Sequence, residues 1–351
     1  METIQIHEKY MHRCIELARQ AEGHTYPNPM VGAVIVHKDR IIGEGYHKKY
    51  GEAHAEVIAI NSVVNKELLK SSTIYTNLEP CAHYGKTPPC ALRIIEEKIP
   101  VAVSGCIDTF SEVSGKGFEM LRSQNIKVIT GVLEKECREL NRRFFTFHEK
   151  KRPYIILKWA ETEDGFIDIN RKATTDGRPT LITGNESRRL THLWRSLEQS
   201  ILVGSVTALK DNPMLTVRDW HGNNPLRIVI DRNGKLPKTL SLFNGEAQTL
   251  VFTYSNSVSN ENIEYISLTK DKDPIETILT TLYNRKIQSL TVEGGSKLLN
   301  IFIKKNLWDE ARVFTGNKWF VSGVKAPVIK QKPVSFEKIG NDRLLIYRNN
   351  Q

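Results

Sequence analysis

The chain has little cysteine, no acidic excess and no long apolar run. Its 351 residues include five cysteines, at positions 14, 81, 90, 106 and 137. An odd count confined to the first half does not make a disulfide framework and suits a reducing compartment. No apolar stretch approaches the roughly 20 residues of a membrane-spanning helix, and Met1-Glu-Thr-Ile-Gln-Ile-His7 lacks the basic-then-apolar order of a secretion signal. A cytoplasmic protein that does not engage a membrane is therefore expected. Internal repeats and low-complexity tracts are also missing. The charge balance is basic, with a formal net charge of +10, which suits nucleic acid or small phosphorylated ligands. With 40% hydrophobic and 26% charged residues, the chain has an ordinary globular composition and is long enough for two cored domains.

The most informative stretch runs from His54 to Cys90. His54-Ala-Glu56 is followed, after an apolar run, by Pro80-Cys81-Ala-His83-Tyr-Gly-Lys86-Thr-Pro-Pro-Cys90. One imidazole and two thiolates are the donor set of a catalytic zinc that keeps its fourth position for water. Glu56, two residues after the histidine, is placed as the proton carrier that zinc deaminases of nucleobases use without binding the metal. Lone buried histidines and cysteines usually serve packing, and His83 is open to two readings, a fourth ligand or a substrate contact. The order His-x-Glu, Pro-Cys, Cys, each member beside a helix start, favours the catalytic reading. The pattern predicts a helix over 53–64, a strand over 73–78 and a helix from Cys90 started by Pro88-Pro89.

Taken in order, apolar residues at Met11, Cys14, Ile15, Ala18 and Ala21 predict a helix over 8–23. Tyr26-Pro-Asn28-Pro-Met30 must be loop, with Asn28 either a turn residue or a substrate contact. Strands are expected at 31–36, 40–46, 101–107 and 127–132, with a helix at 117–125. This alternation implies an α/β sandwich. Residues 133–150 read as one amphipathic helix, and His148-Glu-Lys-Lys-Arg-Pro153 as a linker. Domains are accordingly expected at 1–147 and 153–351. In the second, strands are expected at 154–160, 200–206, 226–231, 249–254 and 289–292, with helices at 185–197 and 297–305. Glu293-Gly-Gly295-Ser296 sits between the last strand and helix, where backbone N–H groups could meet an anion, although a plain turn is as common.

The loop Cys81-Ala-His-Tyr-Gly-Lys-Thr-Pro-Pro-Cys90 is longer than the Cys-x-x-Cys of the general deaminase signature. It resembles the deaminase half of the bifunctional riboflavin-biosynthesis deaminase/reductase family. So do Pro27-Asn-Pro-Met-Val-Gly32 and Gly43-Glu-Gly-Tyr-His47. Lys158-Trp-Ala160, Asp164-Gly165, Thr207, Asp211-Asn-Pro213, Leu215-Thr-Val-Arg218, Ile228-Val-Ile-Asp231 and Glu293-Gly-Gly295 are similar, in order, to its reductase half.

That resemblance implies a cytidine-deaminase-like three-layer α/β/α sandwich followed by a dihydrofolate-reductase-like α/β domain, using Zn²⁺ and NADPH. It implies metal binding by His54, Cys81 and Cys90, and catalysis by Glu56, Lys158 and Glu293. Substrate contacts would come from Asn28, His47, His83, Lys86, Asp108, Arg195, Leu215, Arg218 and Glu293. Cofactor contacts would come from Ala160, Thr207, Asp211, Gly295 and Ser296; apart from the resemblance, the basic side chain of Arg232 is a further candidate, for the 2′-phosphate of NADPH. The sequence departs from the family at Phe110, which cannot make the hydrogen bonds of an Asn, at Leu181 and at Arg232, whose position is often small. The expected partner is a small phosphorylated pyrimidine, with no nucleic acid, in a homo-oligomer. The alternative is an RNA-editing deaminase with a basic nucleic-acid-binding second half. It is disfavoured because that half lacks interleaved aromatic and basic residues.

Overall fold

The computed structural model describes residues 2–84, 88–109, 114–171 and 179–349. The chain divides into two compact units, Met1–Lys151 and Arg152–Gln351. The helical turn at residues 148–150 thus belongs to the first unit rather than to a linker.

In the first unit, α1 (Glu2–Arg19) precedes a hairpin of β1 (Gly32–His37) and β2 (Arg40–Tyr46). Next come α2 (Ala55–Ser62), β3 (Thr73–Leu78), α3 (Cys90–Glu96), β4 (Val101–Cys106), α4 (Lys116–Ser123), β5 (Lys127–Thr130), α5 (Glu134–Leu140) and α6 (Arg142–Lys150). The sheet order is β2-β1-β3-β4-β5, antiparallel about β1 and parallel from β3 onward. Strand residues alternate between faces, and both faces are apolar. Val34 and Val36 join a core with Met11, Cys14, Ile15 and Ala18 of α1. Ala33 and Ile35 join another with Ala59 and Ile60 of α2, Ile94 of α3 and Leu121 of α4. Three layers follow directly, each fully buried Ile or Leu contributing about 1.5–3 kcal/mol. A Cβ at Gly32 would lie 2.1 Å from the Cys14 carbonyl oxygen, so α1 packs directly on β1.

The single helix expected over 133–150 is two. Asn141 breaks it with φ −101° and ψ 25°. Its side-chain oxygen accepts from Met30 N–H at 2.8 Å, and its amide donates to Met30 C=O at 2.9 Å. Asn77 also donates to Met30 C=O, at 3.0 Å, and accepts from Gly32 N–H at 2.7 Å. Two buried asparagines thereby satisfy a loop that would otherwise bury unpaired backbone.

The second unit contains β6 (Tyr154–Thr162), β7 (Phe166–Asp168), α7 (Asn185–Leu197), β8 (Ser200–Gly204), α8 (Ser205–Asp211), β9 (Leu226–Ile230), β10 (Thr249–Thr253) and β11 (Ile263–Ser267). It ends with α9 (Pro274–Asn284), β12 (Ser289–Gly294), α10 (Ser296–Lys304), β13 (Glu310–Gly316), β14 (Val324–Lys325), β15 (Ser335–Ile339) and β16 (Asp342–Arg348). A nine-stranded sheet runs β11-β10-β9-β8-β12-β6-β13-β16-β15. It is parallel through β13, with β16 and β15 antiparallel at the end. The strand expected to reach Val206 stops at Gly204, which caps α8. Leu157, Val292, Leu299 and Phe302 lie in one core of this unit, and Val203, Val229 and Leu242 in another. Among the described residues no helix is long and apolar enough to cross a membrane.

Candidate functional site

The first site lies where α2 and α3 begin. His54 is the N-cap of α2 and Cys90 the first residue of α3. Cys81 follows β3 across Glu79-Pro80, and its carbonyl accepts from Ala91 N–H at 3.1 Å. His54 Nδ1 is 3.5 Å from Cys81 Sγ and 3.3 Å from Cys90 Sγ, and the three donor atoms lie within 4.8 Å of one another. With Zn–N near 2.0–2.1 Å and Zn–S near 2.3 Å, the N-to-S edge of a tetrahedron is about 3.5 Å. The donor set therefore fits zinc. His83 does not join this group, so among the described residues there are three protein donors, as in an open catalytic site.

Electrostatics at the site match that donor set. The two thiols share one negative charge: contact with Cys90 and then with His54 draws the Cys81 thiol down, while Cys81 and burial push Cys90 up. Contact with Cys81 raises His54 to about 9. A divalent cation relieves this competition by allowing both sulfurs to ionise. Glu56, 3% exposed, is raised by burial and then by Cys81, the direction that suits a carboxyl exchanging protons near neutral pH.

Asn28 and His47 belong to the same neighbourhood. The Asn28 amide donates to His47 Nε2 at 3.1 Å, and His47 Nδ1–H donates to Ala53 C=O at 3.1 Å. This fixes one neutral tautomer, and burial lowers the His47 pKa. The His47 and His54 rings meet edge to face at 5.3 Å. His83 is exposed and Asp108 buried. Lys86 and Phe110 lie outside the described residues. Glu79 was not anticipated. Its carboxylate accepts from the N–H groups of Asp108, Gly115, Gly117 and Phe118 at 2.9–3.4 Å, tying the end of β3 to the start of α4. The signal was available: a glutamate directly before Pro-Cys cannot be buried without donors.

The second site is a cavity of about 990 Å³ at the carboxyl ends of β6, β8, β9 and β12, where open parallel sheets bind ligands. Ala160, Thr207, Asp211, Arg232, Gly295 and Ser296 all line it, as do Lys158 and Glu293. Gly204 and Gly295 cap α8 and α10. A Cβ at Gly295 would come within 3.0 Å of Thr207 Oγ1, so the glycine keeps a close backbone cradle open. A large cleft with bare helix starts and cationic lining from Arg232, Lys235 and Lys297 fits a phosphate-bearing dinucleotide. Arg171, unforeseen from the sequence, bridges Asp168 and Asp211 inside this cleft.

Three of the expected residues lie off this cavity. Arg195 forms a two-pronged pair with Glu293, Nε to Oε1 at 3.1 Å and Nη2 to Oε2 at 2.7 Å. Arg218 Nη1 donates to Thr216 Oγ1 at 3.1 Å, and its N–H donates to His192 Nδ1 at 3.1 Å. Leu215 is buried with φ 55°. Burial lowers Lys158, an effect that Glu293 partly offsets. Burial alone would raise Glu293, but Arg195 and then Lys158 outweigh it and hold the carboxyl at about 2.

An α/β unit with a three-donor zinc site beside a buried glutamate, joined to a parallel-sheet unit with a dinucleotide-sized cleft, defines a chain with two separate catalytic chemistries. Residues 4–106 match the cytidine and deoxycytidylate deaminase zinc-binding region, and residues 153–345 match the RibD C-terminal domain. The chain belongs to the RibD family of riboflavin biosynthesis proteins. It is 37% identical to riboflavin biosynthesis protein RibD of Aquifex aeolicus over 98% of this chain and 99% of that one. Against RibD of Escherichia coli it is 32% identical over 89% and 88% of the two chains. A Thermotoga maritima diaminohydroxyphosphoribosylaminopyrimidine deaminase/5-amino-6-(5-phosphoribosylamino)uracil reductase is similar in structure, with TM-score 0.88, 38% identity and 99% of each chain covered. Both parts of that bifunctional design, deaminase and reductase, are present here, which sets this reading above an RNA-editing one.

Proposed function

We propose that the first unit removes ammonia from 2,5-diamino-6-(5-phosphoribosylamino)pyrimidin-4(3H)-one. The second then reduces the ribosyl group of 5-amino-6-(5-phosphoribosylamino)uracil to ribityl. The observation that carries this reading is the tetrahedral-edge spacing of His54, Cys81 and Cys90 beside the buried Glu56. A zinc ion held by these three side chains supplies activated water at neutral pH. Glu56 takes up a proton as water adds to the amine-bearing carbon and passes it to the ring, then carries the proton of the added hydroxyl to the amine, which leaves as ammonia. Asn28 and His47, locked together, orient the pyrimidine, with His83, Lys86 and Asp108 contributing further contacts.

In the second unit Ala160, Thr207, Asp211, Arg232, Gly295 and Ser296 hold NADPH, which supplies the hydride. Lys158 lines the cavity and has no hydrogen-bond partner among the described residues; in this reading it protonates the sugar oxygen released on reduction. Glu293 keeps a negative charge near that ammonium. Leu215 and Arg218, with Arg195, hold the sugar phosphate. We place the protein in the cytoplasm, as a homo-oligomer acting on small phosphorylated pyrimidines and not on nucleic acid.

The test is to supply the diaminopyrimidinone with and without NADPH, following ammonia and cofactor absorbance separately. Ammonia release without NADPH, and NADPH oxidation only after deamination, are expected. Absence of ammonia, or NADPH oxidation that does not depend on deamination, would refute the reading.

A further inference from the structure

The Arg195–Glu293 pair goes further than phosphate binding. Both side chains are nearly buried, 12% and 11% exposed. The Nε–Nη2 edge of the guanidinium is committed to the carboxylate, and Nη1 points to the Thr216 carbonyl oxygen at 3.4 Å. A planar fork bound by two parallel hydrogen bonds fixes the carboxylate in orientation as well as in charge. Such a pair is costly to bury for stability alone, yet the Glu293 end of this one lines the cavity together with Lys158.

We propose that Arg195 is a positioning residue of the reductase site, fixing the Glu293 carboxylate as an oriented anion beside the Lys158 ammonium. The inference rests on the reductase reading of this unit. The charged and titratable groups around Glu293 are few. Lys158 comes from β6, Arg195 and His192 from α7, and Arg312 from β13. Arg312 is already paired with Glu310 and Glu198. His192 is lowered to about 4, by burial and then by Arg195 and Arg218, so it is neutral at working pH. Arg195 and Lys158 are therefore the cations that hold Glu293 ionised against its burial, and without Arg195 burial wins. The carboxyl would then take up a proton at a higher pH than in the intact pair, and Lys158 would lose its counter-charge there.

The experiment measures NADPH oxidation by the full chain across the pH range, with 5-amino-6-(5-phosphoribosylamino)uracil as substrate. Arg195→Ala is expected to lower kcat by about tenfold or more, and to raise the acid limb of the kcat profile by about two pH units. Arg195→Lys, which keeps the charge and loses the fork, should leave that limb near its wild-type position while kcat still falls. In a Glu293→Gln background, Arg195→Ala should cost little further kcat, because the pair acts as a unit. A rise in KM alone with the acid limb unmoved, or additive losses in the double variant, would overturn the proposal in favour of plain phosphate binding. An NADPH-induced rise in Tm reports folding of each variant, and Arg195→Lys with the double variant decides the matter if Arg195→Ala does not fold. If the wild-type chain fails to oxidise NADPH with this substrate, the reductase reading itself falls, whatever Arg195 does.

Discussion

All five cysteines lie in the first unit and all five tryptophans in the second, and the two sites differ in the same way. The first is a ring of electron-rich donors around the place of a cation, with every donor supplied by 37 consecutive residues. In the second, cations surround an anion, Glu293, beside a cleft lined from Lys158 to Lys305. Chemistry that needs particular ligand atoms at fixed separations leaves a compact pattern in the chain. Binding through backbone N–H groups and distributed charge does not, because many residue types can flank a helix start.

Separating the two sites by substitution gives the largest expected effect. Cys81→Ser with Cys90→Ser should abolish zinc retention and ammonia release, while NADPH-induced stabilisation of the second unit, read by tryptophan fluorescence, persists. Loss of both functions together would break the comparison. Glu56→Gln comes next. With the metal still bound, deamination should fall by about 10²–10⁴-fold, and reduction of the already deaminated substrate should be unchanged; metal content and ammonia assays check this.

A pH effect separates the units again. Because the folded-state pKa of Glu293 is about 2 rather than the usual 4.5, its contribution to stability is complete above pH 4.5. That contribution is lost as pH falls toward 2, and amounts to at most about 3 kcal/mol. Denaturation followed by tryptophan fluorescence, which reports the second unit alone, should show a drop in stability on acidification that is smaller in Glu293→Gln. The smallest expected effect is at the cleft. Arg232→Ala should raise KM for NADPH severalfold and leave KM for NADH unchanged if the guanidinium engages the 2′-phosphate. An unchanged KM for NADPH removes that contact.

Much of this arrangement could be read from residues alone. Strand 73–78, strand 40–46 and helix 185–197 have the bounds that periodicity predicts. The zinc donors follow from residue type and order. What could not be read depends on contacts distant in sequence. Asn141 breaks a helix that is continuous by pattern because its partner, Met30, lies 111 residues away. Glu79 matters through four N–H groups that begin 29 residues later. Arg171 and the Arg195–Glu293 pair look like solvated charges until the sheet brings strand ends together. The cofactor cleft was named only through resemblance, since Gly294-Gly295 before a helix is as often a simple turn. Strands β15 and β16 were missed because β15 is largely exposed and lacks strong alternation.

The most direct test is X-ray absorption at the zinc edge on carefully purified protein, with metal content measured alongside. One zinc per chain, bound by two sulfurs, one imidazole nitrogen and one light oxygen atom, is the expected result. A metal-free protein active in ammonia release, or a closed shell in which a fourth side chain takes the place of the oxygen, would contradict it.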